Sequence, residues 1–126
     1  MVDAAEVAAN AAGLKVAMAV VDANGDLVYF RRMDGAIAAG VTAAPGEARA
    51  AILFGVPTKQ VADAAAAGTP LSATITPSGL AAGTVTVLQG GLPLLKGGKV
   101  VAAIGVGGGT SAQDETVAQA GLDAVK

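Results

Sequence analysis

The sequence predicts an α+β domain over residues 1–126: a layered fold with a five-stranded, mainly antiparallel sheet flanked by helices, in the order α-β-β-α-α-β-β-β-α. Three observations carry that expectation. Two glycine-bearing turns, at Asn24-Gly25 and Gly97-Gly98, each separate short apolar runs, the pattern of a β-hairpin whose turn residues take positive φ. Alanine-rich segments that stop at Gly13 and Gly68 read as helices with a glycine just past their last turn. Hairpins make antiparallel pairs, and the helices around them must then lie on the sheet faces.

Taken in order, Ala4 to Ala12 is the first helix, closed by Gly13. Lys15 to Val21 is a strand of Val, Met and Ala, and Asp22-Ala23-Asn24-Gly25-Asp26 turns it back. In the returning strand, Leu27 to Arg32, alternation sends Leu27, Tyr29 and Arg31 to one face and Val28, Phe30 and Arg32 to the other. Met33-Asp34-Gly35-Ala36 is a sharp exit, and Ile37 to Ala44 reads as loop or a short helical turn. Pro45 suits a first helical position, which gives a helix to Phe54 with Glu47 in its first turn. Gly55-Val56-Pro57 breaks it, and Thr58 caps a further helix through Ala67. Thr69 to Ala82, with two prolines and no period, is a loop long enough to suspect function. Thr84 to Leu88 is a strand. The second hairpin follows, and its last strand is apolar on both faces, as a central, doubly covered strand is. Ser111 to Lys126 closes the chain as a helix, with Ser111 and Asp114 at capping-box spacing.

Composition excludes several classes of function. Apolar residues make up 53% of the chain and charged residues 14%, yet no run approaches the roughly 18 apolar residues of a membrane span. The apolar excess therefore has to be covered by protein, which points to a homo-oligomer. A net charge of −2, with eight basic residues scattered singly, gives no electrostatic footprint for nucleic acid. There is no cysteine, hence no disulfide or thiol chemistry, and no histidine, the commonest general base and metal ligand. Met1-Val2-Asp3-Ala4-Ala5-Glu6 lacks a basic, then apolar, leader pattern, so a cytoplasmic location is expected.

Five pieces together resemble a known family. They are Tyr29-Phe30-Arg31-Arg32-Met33-Asp34-Gly35-Ala36, the Ala48 to Phe54 helix with Pro57-Thr58, Gly90-Gly91-Leu92-Pro93, Val101-Ala102-Ala103-Ile104-Gly105-Val106-Gly107-Gly108, and Gln113-Asp114-Glu115-Thr116-Val117-Ala118. In that order they resemble the HbpS-like (GlcG-like) family, which includes haem-binding and haem-degrading proteins and the C-terminal half of PduO-type corrinoid adenosyltransferases. The resemblance implies a compact layered domain that self-associates, often as an octamer, and binds small ligands, tetrapyrroles among them. Two departures stand out. Glu47 takes a position where the family commonly has lysine, and the histidine that could ligate haem iron is missing. Only Tyr29, Met18 and Met33 then remain as conceivable axial ligands, so no cofactor is expected, haem and corrinoid being disfavoured.

Glu47 is the residue of greatest chemical interest, heading an otherwise apolar helix with Ala50, Ala51 and Phe54 on its face. In a pocket it would be desolvated and become a general acid or base usable near neutral pH. On the surface it would merely complement the helix dipole or pair with Arg31, Arg32 or Arg49. Arg31, Arg32 and Asp34 end a strand; a guanidinium there could hold a carboxylate or phosphate, or form a structural ion pair with Asp34 or Glu47. Gly107, Gly108, Thr110 and Ser111 open a helix, where free N–H groups favour anions, although this is neither a Walker loop nor a dinucleotide fingerprint. Gly90, Gly91 and Pro93 would allow a ligand close to the backbone, with Tyr29 and Phe54 as further ligand contacts. Ser72, Ser78 and Ser111 have no histidine partner, and Asp22, Asp26 and Asp34 lack the spacing of a calcium loop, so neither serine catalysis nor a metal is expected. The leading expectation is a homo-oligomer that binds a small organic anion. A cofactor-independent isomerase or lyase, with Glu47 moving a proton and Arg31 or Arg32 holding the substrate, is the second. A structural or regulatory assembly subunit is the third.

Overall fold

A computed structural model of the chain describes residues 1–69 and 85–126. Four helices and four strands follow one another there: α1 (Val2–Ala11), β1 (Ala17–Asp22), β2 (Leu27–Arg32), α2 (Ala38–Phe54), α3 (Thr58–Ala66), β3 (Gly91–Lys96), β4 (Lys99–Gly107) and α4 (Ser111–Asp123). The strands form one antiparallel sheet in the order β2-β1-β4-β3. Both hairpins form where the turn glycines lie. Asp22 Oδ1 accepts from the Asn24 and Asp26 N–H groups in the first, and Gly97 and Gly98 take φ of 57° and 77° in the second.

The pleat divides the core between two faces. Met18 and Val20 of β1, Leu92 and Leu94 of β3, and Ile104 and Val106 of β4 meet Val2, Ala5 and Ala9 of α1 and Val117, Ala118 and Leu122 of α4. On the other face Ala17, Ala19, Val21 and Ala103 meet Ala44, Ala48 and Ala51 of α2. Here the packing is backbone against backbone. A Cβ on Gly105 would stand 2.0 Å from the Ala44 carbonyl oxygen, so only glycine lets α2 settle this close to β4.

Four expectations about elements are corrected. The sheet has four strands among the described residues, not five. Thr84 lies outside them, 85–87 have no regular structure and Leu88 is in a bend. Thr86 seats on α2 instead of lengthening the sheet: a Cβ on Gly46 would meet its side chain at 2.1 Å. Second, α2 starts seven residues before Pro45, at Ala38, and carries the proline inside. Pro45 forfeits one helical hydrogen bond, and the helix persists because its first half is pressed onto the sheet end, Gly40 against Gly107. Third, Thr58 does not cap α3; its buried hydroxyl accepts from the Gly91 N–H at 2.8 Å, tying α3 to the start of β3. Fourth, the capping box of α4 is Thr110 with Gln113, one residue earlier than Ser111 with Asp114, which frees Asp114 for another role. The loop read from Thr69 to Ala82 lies, beyond Thr69, outside the described residues.

Candidate functional site

Glu47 sits in the middle of α2 on the side pressed against the sheet, and it is 2% exposed. Its carboxyl lies against Gly90, where φ is 147° and a Cβ would come within 2.3 Å of Oε2. Any other residue at position 90 would therefore be strained and would collide with the acid. Oε2 is buried and finds no hydrogen-bond partner among the described residues. Burial, reinforced by the nearby charge of Asp114, pushes the Glu47 pKa up to about 9, so at neutral pH the group is an uncharged carboxylic acid.

Beside it lies a cavity of about 140 Å3. Glu47, Gly40 and Ala43 of α2 form one wall, Gly107 to Gly109 and Ser111 a second, with Leu88 and Asp114 completing it. Asp114 is 5% exposed, and its Oδ1 accepts from the Gly109 N–H at 2.8 Å. Burial raises its pKa, while hydrogen bonds from the Gly109 and Gly108 N–H groups work against that rise. Two buried carboxyl groups thus share one small space, one bare and one held by backbone donors.

Among the residues singled out in the sequence, Glu47, Gly107, Gly108 and Ser111 line this cavity, and Gly90 abuts the Glu47 carboxyl. Thr110 stands at its edge as the α4 cap. Gly91 is occupied by Thr58, and Pro93 is buried opposite Ala103 within the sheet. Phe54 lies elsewhere, over a hollow of about 220 Å3 shared with α3. Arg31 and Tyr29 point to the α1 side. Arg31 bonds Asp3 at 2.8 Å, Glu6 at 2.5 Å and the Tyr29 hydroxyl at 2.7 Å, contacts that raise its pKa further and hold it charged. A larger hollow of about 390 Å3 adjoins this cluster, but its charged groups already answer one another. Arg32 and Asp34 are exposed and do not line the Glu47 cavity.

Asp114 is the charged lining residue that sequence reasoning passed over, because an Asp three residues into a helix reads as a cap; Ile37, Ala39, Gly40, Ala43 and Leu88 of the lining carry no chemical signal that would have singled them out. The available signal for Asp114 was its place three and four residues before Val117 and Ala118, on the buried stripe of α4.

A mixed layered domain, with one antiparallel sheet between helices and a buried acid at a glycine-lined sheet end, is the class that fold and site define. The family model "Haem degrading protein HbpS-like" matches residues 1–123, and the chain belongs to the HbpS-like family. An uncharacterised 15.0 kDa protein from the dhaT–dhaS intergenic region of Citrobacter freundii is 32% identical over 126 residues, 98% of this chain and 84% of that one. HbpS of Streptomyces reticuli, solved as a double mutant, superposes with a TM-score of 0.85 at 33% identity, covering 98% of this chain and 80% of that chain. A crystal structure of a PduOC:heme complex gives 0.85 at 26% identity, covering 98% and 87%.

The haem of that last structure raises the question of fit. This chain has no histidine or cysteine. Met18 and Met33 are core residues, Met1 packs against the same core, and the Tyr29 hydroxyl is engaged by Arg31. The 140 Å3 cavity is about the size that holds one benzene ring, far below a tetrapyrrole. The residues present do not fit an axially ligated haem or corrinoid. No helix among the described residues is long and apolar enough to cross a membrane.

Proposed function

We propose that this protein binds a small, oxygen-bearing organic molecule in the Glu47 cavity. The observation that carries the reading is a glutamic acid only 2% exposed, with one oxygen unpartnered among the described residues, in the lining of a small hollow. Leaving such a group unsatisfied costs about 1–3 kcal/mol, and a ligand that accepts a hydrogen bond from the neutral acid recovers part of it. Asp114 opposes a negative charge in the same space. An uncharged carbonyl or hydroxyl therefore suits the site better than the organic anion expected from the sequence. Self-association, as an octamer by family resemblance, belongs to the proposal. Its support is the apolar surface left by Leu27, Val28 and Tyr29 on edge strand β2.

The perturbed acidity of Glu47 also favours a second reading, the cofactor-independent isomerase or lyase, with the proton carried by Glu47 and no part for Arg31. Binding comes first in either case, and thermal unfolding in the presence of small oxygenated compounds tests it. A compound bound only by the native state raises the midpoint with concentration. Ala43→Met, which fills the cavity wall, should abolish that rise. If no compound of this size raises the midpoint, or if Ala43→Met responds as fully as the parent, the reading is wrong.

A further inference from the structure

Beyond binding, the cavity holds the two halves of a proton-transfer device. Glu47 from α2 and Asp114 from α4 line the same 140 Å3 space, and the other side chains there among the described residues, those of Ile37, Ala39, Ala43, Leu88 and Ser111, carry no charge. Their environments differ in kind. Burial pushes both acids up, but Asp114 receives a backbone N–H at the N-terminal end of a 13-residue helix, which counters the rise and favours its ionised form, whereas the Glu47 Oε2 has no hydrogen-bond partner among the described residues. Two acids driven apart in this way divide into an acid and a base.

We propose that Asp114 is the base and Glu47 the acid of an enolisation of small, uncharged α-hydroxycarbonyl compounds, a proposal that rests on the binding reading above. The Asp114 carboxylate takes the proton from the carbon beside the carbonyl. The C–H electron pair becomes the carbon–carbon double bond, and the carbonyl π pair takes the proton of Glu47, giving an enediol. Return of the Asp114 proton to the neighbouring carbon, with transfer of that enediol's other hydroxyl proton to Glu47, restores both groups and completes a hydroxyketone–hydroxyaldehyde interconversion. Nothing is oxidised or reduced overall, and no cofactor is consumed. The cavity volume restricts the substrate to roughly the bulk of a benzene ring.

The test is proton NMR in deuterated buffer with hydroxyacetone, dihydroxyacetone and glyceraldehyde, alongside thermal shifts of the same mixtures. The parent protein should exchange the carbon-bound hydrogen above the buffer rate. Asp114→Asn keeps an oxygen for the Gly109 N–H but is not a base, and should lose about 100-fold or more of that rate while its thermal shift persists. In the parent, the rate should fall as pH rises through about 9, where Glu47 loses its proton; this readout needs no variant to fold. A compound that raises the midpoint without exchange, or exchange undiminished in Asp114→Asn, overturns the proton-transfer proposal and leaves the binding one standing. Absence of both a thermal shift and exchange with all three compounds overturns the enolisation proposal, while the binding reading falls only if the wider set of small oxygenated compounds gives no shift either.

Discussion

The two faces of the sheet are built on opposite plans. Toward α1 and α4 the strands send Met18, Leu92, Leu94, Ile104 and Val106, large side chains that interdigitate as in any close-packed core. Toward α2 they send mostly small residues, Ala17, Ala19, Ala103 and Gly105 together with Val21, so the helix comes down until backbones touch. Full burial of each large side chain is worth about 1.5–3 kcal/mol, which the small ones cannot match. What the second face gains is position. A helix seated on glycine and alanine has few ways to slide or roll, and Glu47 rides on it with its carboxyl against Gly90. One face carries stability and the other holds a buried acid in place.

Neighbouring residues on β4 allow the sharpest attempt to break that division. Ile104 points to the first face and is fully buried, so Ile104→Ala should leave a void and cost about 2–5 kcal/mol in urea unfolding. Gly105→Ala adds a single methyl on the second face, yet it must displace the Ala44 carbonyl and the Ala48 amide nitrogen. A cost on the order of 3 kcal/mol is expected, toward the upper end for overpacking. Ala44→Gly should not rescue it, because the obstruction is main chain. A Gly105→Ala protein within about 0.5 kcal/mol of the parent would mean that α2 is not seated as described.

A smaller, pH-dependent effect isolates the acid itself. Glu47 has a pKa of about 9 in the fold against 4.5 for the free side chain. Between those values the native state holds a proton that the unfolded chain releases, so stability falls as pH rises, by about 1.4 kcal/mol per unit at most. Glu47→Gln mimics the neutral acid and should remove this slope. The variant should match the parent near pH 4 and exceed it by roughly 3 kcal/mol near pH 7. Parallel stability curves for parent and variant from pH 4 to pH 9 would show that Glu47 is charged and solvated in the native protein.

How much of this was legible beforehand depended on how local its cause was. Gly97-Gly98 and Asn24-Gly25 announce their hairpins because the turn conformation is a property of those residues alone. The first half of α2 was hidden because a proline interrupts it and its stabilising contacts, Gly40 on Gly107 among them, come from the far end of the chain. Glu47 stood out as a charge within an apolar helix. Asp114 did not, since helix capping explains an acid at that place equally well. Alternation on β2 correctly separates Arg31 from Arg32, but it cannot say which helix covers which face. That α1 and its two acids would lie over Arg31 follows only from the assembled sheet.

That last point supplies the mildest variant. Arg31 joins α1 to β2 through Asp3 and Glu6 and stacks its guanidinium over the Tyr29 ring, 5.4 Å from its centre. Because the pairs are solvent-screened, Arg31→Met should lower the thermal midpoint only slightly, and the difference should shrink in high salt. Its value lies in the contrast with the other face. If the Glu47 cavity is the binding site, Arg31→Met should leave every ligand-induced midpoint shift intact, since Arg31 lines a different hollow on the α1 side. Loss of the shift in Arg31→Met, with Ala43→Met unaffected, would move the function to the α1 side and leave the buried acid as a purely structural burden.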